Sequence, residues 1–256
     1  MRLHSLQEAT LKIALGVLLI SLLTPLMVDA NTFVRTGQTV SITENQTVEG
    51  DFYAFSQAVS ISGEIAEDAI LGGGKVTING SINEGALIAG AYVDVMGPVA
   101  DDVRIIGGYV TIGDTIKGDL LVIGGTVKIL STAGIEGDLL VYGNDVIIEG
   151  SVGGDILGSV NNMQINSFIG GDVDVSVNSL SLGNEADVAG GVSYTSFQEL
   201  DRSPNHTVVG ELVRREPAYD RWSTSPQDII IMIGAVLFSV LSWYLLGRKS
   251  LNRVVE

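Results

Sequence analysis

The stretch from Val76 to Tyr92, "VTINGSINEGALIAGAY", and the seventeen residues after it, "VDVMGPVADDVRIIGGY", keep the same positions for apolar residues and glycines and share few letters between them. Each opens on a V-x-I triplet, which returns at Val59, Val76, Val93, Val110, Val127, Val146, Met163 and Leu180, at spacings of 17, 17, 17, 17, 19, 17 and 17 residues. A weaker copy starts at Val40, 19 residues before Val59, so about nine copies run from residue 40 to residue 196. Self-similarity at a fixed period marks a stacked repeat architecture.

A copy of this length has no room for a helix plus a strand, and none contains a helical run. Three short strands fit it. The first, V-x-I, is closed by a residue that tolerates turn or left-handed backbone: Gly63, Gly80, Gly97 and Gly150, with Asp114, Ser167 and Asn184 in equivalent places. The second carries one apolar residue, as at Ile65, Ile82, Val99, Ile116, Val152 and Ile169. The third alternates, pointing inward at Ala69 and Leu71, Ala86 and Ile88, Val103 and Ile105, Leu120 and Val122, and Leu139 and Val141.

A coil of three strands per turn, wound into a parallel β-helix, lets every copy bury those positions and pair its backbone with the copies on either side. At a strand spacing of roughly 4.8 Å, nine turns make a rod on the order of 43 Å long. Drift between the apolar positions costs little, because only the inward ladders are shared. A left-handed hexapeptide helix would need a period of six, and none is visible.

The 17-residue V-x-I-x-G-x-V/I rhythm, with "GDLLVIGGTVKI", "GDLLVYGNDVII" and "GSVGGDI", resembles the bactofilins, the polymer-forming cytoskeletal proteins of bacteria. The resemblance covers residues 40 to 196. It implies a right-handed β-helix that assembles end to end without a nucleotide. The expected fold is thus all-β, a solenoid of about nine turns of 17 residues with an added segment at each end.

Residues 1–30 begin with Arg2 and Lys12, continue through "IALGVLLISLLTPLMV" and end in "VDA", as a secretory signal peptide does. An uncleaved anchor is the other reading, and either one exports the repeat domain. From Ile229 to Leu246, 18 residues carry no charge, enough for one transmembrane helix. Trp243 and Tyr244 suit an interface, and Arg248, Lys249 and Arg253 mark the cytoplasmic side. The expected division is a signal peptide over 1–30, the β-helix over 31–196, a membrane-proximal linker over 197–227, a transmembrane helix over 228–247 and a cytoplasmic tail over 248–256. That makes a single-pass membrane protein with an exported repeat domain.

Between Asn31 and Asp228 there are 27 acidic and 9 basic residues. Such a surface repels nucleic acid and anionic headgroups. Cysteine is absent, so no disulfide holds the domain. Asp51, Asp68, Asp102, Asp119, Asp138, Asp155 and Asp172 fall at one position of the turn, with Gly85 in the gap. Two readings stand: a carboxylate column over Asp102, Asp119, Asp138, Asp155 and Asp172 that takes Ca²⁺, or aspartates that each bond their own turn.

Ile70, Leu87, Leu121, Leu140 and Leu157 occupy the middle of the third strand, where alternation points outward, with Ile106 and Ile123 two positions on. Arg104 and Asp174 interrupt the row. This is an assembly surface, unless the inward register shifts or the segment after residue 196 covers it. His4 and His206 are the two histidines, and no P-loop, dinucleotide fingerprint or zinc-protease motif appears. No catalysis and no cofactor are expected. The expected function is a membrane-anchored scaffold that self-assembles through its terminal turns and a lateral apolar stripe, with itself, the membrane and cell-envelope components as partners. The alternative is an exported adhesin or ligand-binding module.

Overall fold

The computed structural model describes residues 32–217. The signal segment over 1–30 and the transmembrane helix and tail over 228–256 lie outside them. Among the described residues every regular element is a strand, and no helix is long and apolar enough to cross a membrane.

Nine ten-residue strands recur along the chain: Phe33–Ile42, Phe52–Ile61, Ala69–Ile78, Ala86–Val95, Val103–Ile112, Leu120–Ile129, Leu139–Ile148, Ile156–Ile165 and Val173–Leu182. Each pairs in parallel with the one before and the one after, Val76 beside Val93 beside Val110, for example. The ladder continues through Val192–Thr195 and Leu212–Arg215, so the main sheet runs through eleven strands along its path. Short strands such as Thr47–Val48, Glu64–Ile65, Ser151–Val152 and Thr207–Val208 form a second, narrower stack. The result is a parallel β-solenoid.

Two expectations about the strands need correction. The third strand of one copy and the first of the next are a single strand that bends. In Ala86–Val95 the inward residues are Ala86 and Ile88 before the bend, then Val93 and Val95 after it. Alternation loses one step at the bend, where Ala91 is skipped in the pairing. The laps also number about eleven rather than nine. Residues 197–215, read as linker, complete a further lap: Asp201–Arg202 pairs with Ser181–Leu182, and Leu212–Arg215 with Val192–Thr195. The compact unit ends at Arg215.

The core is the set of inward columns. Ile65, Ile82, Val99, Ile116, Ile135, Val152, Ile169 and Val188 stack in the short-strand column, all buried. Each such side chain contributes roughly 1.5–3 kcal/mol on leaving water.

The turn glycines act differently from the expectation. Among the described residues no non-glycine residue has a positive φ, and Gly63, Gly80, Gly97 and Gly150 do not either. Close approach is what they supply: a Cβ on Gly80 would overlap the carbonyl oxygen of Gly63 one lap below. A second glycine column, Gly73, Gly90, Gly107, Gly124 and Gly143, lines the bend. There a Cβ on Gly107 would lie 2.7 Å from Val110 Cγ2 and one on Gly124 would lie 2.9 Å from Val127 Cγ2. The column ends at Val160 and Val177, where the residue three positions on is Met163 or Leu180, neither branched at Cβ.

Four laps carry an extra turn between the V-x-I arm and the short strand. Each closes by a backbone bond across three residues: Gln46 N to Thr43 O at 2.9 Å, Ala133 N to Leu130 O at 2.8 Å, Ala186 N to Gly183 O at 3.3 Å, and His206 N to Ser203 O at 3.4 Å. These turns share one corner, across the section from the arm that holds Ile70 and Leu87.

Candidate functional site

On the arm before the bend, outward residues form two columns. One runs Val34, Tyr53, Ile70, Leu87, Arg104, Leu121, Leu140, Leu157 and Asp174. The other runs Phe55, Gly72, Ala89, Ile106, Ile123 and Tyr142. Their neighbours Val103, Ile105, Leu120, Val122, Leu139 and Val141 are buried, so the inward register is not shifted and the leucines do point out. Leu87 and Leu157 are 45% and 40% exposed, Ile106 and Ile123 57% and 47%, while Ile70, Leu121 and Leu140 are half-buried among them. Residues 197–215 pair at the end of the stack and leave this face open. Phe55 and Tyr142, at 47% and 42% exposure, extend the second column. Sequence reading passed over them, though the same alternation that picked out Ile106 and Ile123 points to them.

The aspartate column bonds in a way neither sequence reading foresaw. From Asp68 on, each carboxylate of the column accepts the backbone N–H of the same position one lap on, Gly85 N donating to Asp68 Oδ1 at 2.9 Å. Asp119 N donates to Asp102 Oδ1 at 2.9 Å, Asp138 N to Asp119 Oδ1 at 2.8 Å, Asp155 N to Asp138 Oδ1 at 2.8 Å, and Asp172 N to Asp155 Oδ1 at 2.7 Å. Gly191 N closes the run on Asp172 Oδ1 at 2.7 Å. Bonds to an ionised acceptor are stronger than neutral ones. The G-D steps follow from this: a Cβ on Gly118 would lie 2.5 Å from Asp102 Oδ1, and Gly137, Gly154, Gly171 and Gly190 are placed alike against the aspartate below. Asp101 precedes Asp102 where the lap below holds Gly85 and no carboxylate, whereas Glu84 precedes Gly85 above Asp68, whose Oδ1 accepts the Gly85 N–H at 2.9 Å, so a side chain is accommodated at that lap. Among the described residues no group of three or more His, Asp or Glu side chains is arranged to hold a metal ion.

Acid crowding is strongest in the early laps. Slight desolvation raises the exposed Glu84 carboxyl above its ordinary value, helped by the charges of Asp68, Glu67, Asp51 and Asp101. Burial likewise raises the Tyr53 hydroxyl, with Asp51 and Asp68 adding to it, and Asp51 accepts its hydrogen bond. Beside the leucine column a shallow groove of about 260 Å³ is lined by Asp102, Asp119, Asp138, Leu121 and Leu140, with Arg104 its cation. Arg104 pairs with Asp102 at 3.1 Å.

Both ends of the stack carry arginine on inward columns. Arg35 stands in the column of Ala54 and Leu71. Its guanidinium lies 5.9 Å from the centre of the Phe52 ring and donates to Ser41 O at 3.3 Å, at the mouth of the first described lap. At the other end Arg202 continues the column of Leu182, and Arg214 that of Tyr194. Arg215 fastens the last lap outside, donating to both Asp174 oxygens at 3.0 and 3.1 Å and to Ser193 Oγ at 3.0 Å. Terminal repeats with polar outer faces are what keeps a solenoid soluble.

These features define a parallel β-solenoid with arginine-closed ends, an inter-lap aspartate ladder and one apolar flank. No protein family, curated protein or solved structure matches the chain.

Proposed function

We propose that the chain is a non-catalytic scaffold of the cell envelope, a bactofilin-like right-handed β-helix exported on its N-terminal segment and held in the membrane by its C-terminal one. Its association surface is the apolar flank. The observation that carries this reading is the two adjacent outward columns of large apolar side chains, Leu87 to Leu157 and Ile106 to Tyr142, held rigidly by the ladders behind them. Patches of this kind mark association sites. Assembly through the terminal turns is the weaker route, because stacking a second rod head to tail would bury Arg35 against Arg214 in one inward column and Arg202 against Ile42 in another, charges without a counter-ion.

Sedimentation of the full chain in mild detergent, with crosslinking in the membranes of expressing cells, tests the flank. The Leu121→Asp, Ile123→Asp pair should abolish assemblies larger than one chain and leave the strand signal in circular dichroism intact. Unchanged assembly size would remove the flank as the association surface. The second reading, an exported ligand-binding module, draws on the Arg104 groove, and a monomer in both measurements would favour it.

A further inference from the structure

The sequence holds three N-x-Ser/Thr triplets in the described residues: Asn45-Gln46-Thr47, Asn79-Gly80-Ser81 and Asn205-His206-Thr207. Such triplets accept N-linked glycans when they lie on exported surface. Two of them sit in the four extra turns, at the same third position. That position holds Asn45 in the first lap, Thr132 and Glu185 in the two inner turns, and Asn205 in the last. The inner turns lack the triplet; the outermost ones have it.

The local geometry suits a transferase. Asn45 and Asn205 are exposed, and so are Thr47 and Thr207, whose hydroxyls complete the triplet. Among the described residues neither asparagine side chain makes a hydrogen bond. Thr47 and Thr207 begin equivalent short strands, so both triplets run from a projecting turn into an edge. Asn79 is exposed as well, and its contrast lies in the backbone. Its N–H and that of Gly80 both donate to Ile61 O, at 2.7 and 3.0 Å, and Ser81 O accepts from Ile65 N at 2.9 Å. Gly80 also presses against Gly63, so this triplet is locked into the wall of the solenoid.

We propose that Asn45 and Asn205 are N-glycosylated, an inference that rests on the export of the repeat domain. The co-reactant is a lipid-linked oligosaccharide. The asparagine amide nitrogen attacks the anomeric carbon, the C–N bond forms, the C–O bond to the lipid phosphate breaks, and the amide proton leaves with the released phosphate. Both glycans project from the corner opposite the apolar flank, one at each end of the stack. They add a steric barrier to the arginines that close those ends and leave the flank free.

The test is peptide mapping of the full chain purified from the cells that naturally make it. Trypsin separates the three triplets into residues 36–75, 76–104 and 203–214. The expected result is a glycan mass on the first and third peptides, none on the second, and loss of each mass in the Asn45→Gln and Asn205→Gln chains. Unmodified first and third peptides in a chain whose signal segment has been removed would overturn the proposal. So would equal occupancy at Asn79, since the turns would then select nothing. If the same peptides are unmodified and the chain is found wholly inside the cell, the export reading fails and takes the proposal with it.

Discussion

Replacing Gly137 by alanine tests the carboxylate ladder at the point where it constrains the sequence most. The new methyl would overlap Asp119 Oδ1 and lie 2.8 Å from Gly118 O, a backbone atom that cannot swing away. Relieving the clash means moving the carboxylate off the Asp138 N–H it holds at 2.8 Å, or spreading two laps whose strands are paired on both sides. Overpacking of this kind costs about 1–3 kcal/mol. An exposed bond to a carboxylate adds about 1 kcal/mol, toward the low end for charged acceptors because water competes there. Gly137→Ala should therefore cost about 2–4 kcal/mol, and Asp119→Ala alone about 1 kcal/mol. In the double variant the carboxylate is gone, so the costs should fall short of their sum by about 1 kcal/mol or more. Urea unfolding of the four chains, followed by circular dichroism, supplies the cycle. A cost below about 0.5 kcal/mol for Gly137→Ala would refute the reasoning, as would strict additivity.

Two further predictions concern the bend and the acid cluster. Gly124→Val should destabilise by about 1–3 kcal/mol through its contact with Val127, and adding Val127→Met, the combination found natively at Val160 and Met163, should recover part of it; no recovery in a thermal melt would separate the two columns. Glu84→Gln should raise the melting temperature at neutral pH. Because folding raises this carboxyl above its ordinary value of 4.5, the folded state binds the proton more tightly, and stability falls as pH rises through the folded value. The gain from glutamine should vanish below the unfolded value, and a gain that persisted there would have another cause.

The inward columns were legible because burial constrains them one residue at a time: every valine and isoleucine assigned to the core from alternation is buried. The last lap was not, since Leu200, Asp201 and Arg202 stand where V-x-I should recur, 20 residues after Leu180, with Pro204 behind them. Its strands are set by pairing to the lap below, Arg202 beside Leu182, and the last lap of a stack needs no apolar triplet to shield a lap above it. The aspartate column was visible as spacing, but neither reading of it, a Ca²⁺ column or a bond within each turn, reached across the laps. The true donor lies 17 or 19 residues on, a relation that exists only once the laps are stacked. The bend glycines escaped for the same reason, their constraint being a Cγ2 three residues away at Gly107 and Gly124 and a carbonyl oxygen of the lap below at Gly73, Gly90 and Gly143.

Repetition itself separates the two ways such a rod can associate. Each added lap places two more outward side chains on the flank and nothing on the ends, so flank contact grows with lap number while end contact stays fixed. A single inward residue can close an end, and Arg35, Arg202 and Arg214 are at such positions. No single residue can close a flank: Arg104 interrupts the leucine column, yet Leu87 and Leu121 continue on either side and Ile106 stands exposed beside it in the next column. Charge that is effective at the ends is therefore only a local interruption along the side. On the proposed reading, a solenoid with Arg35, Arg202 and Arg214 at its ends and apolar side chains along its flank would meet partners sideways.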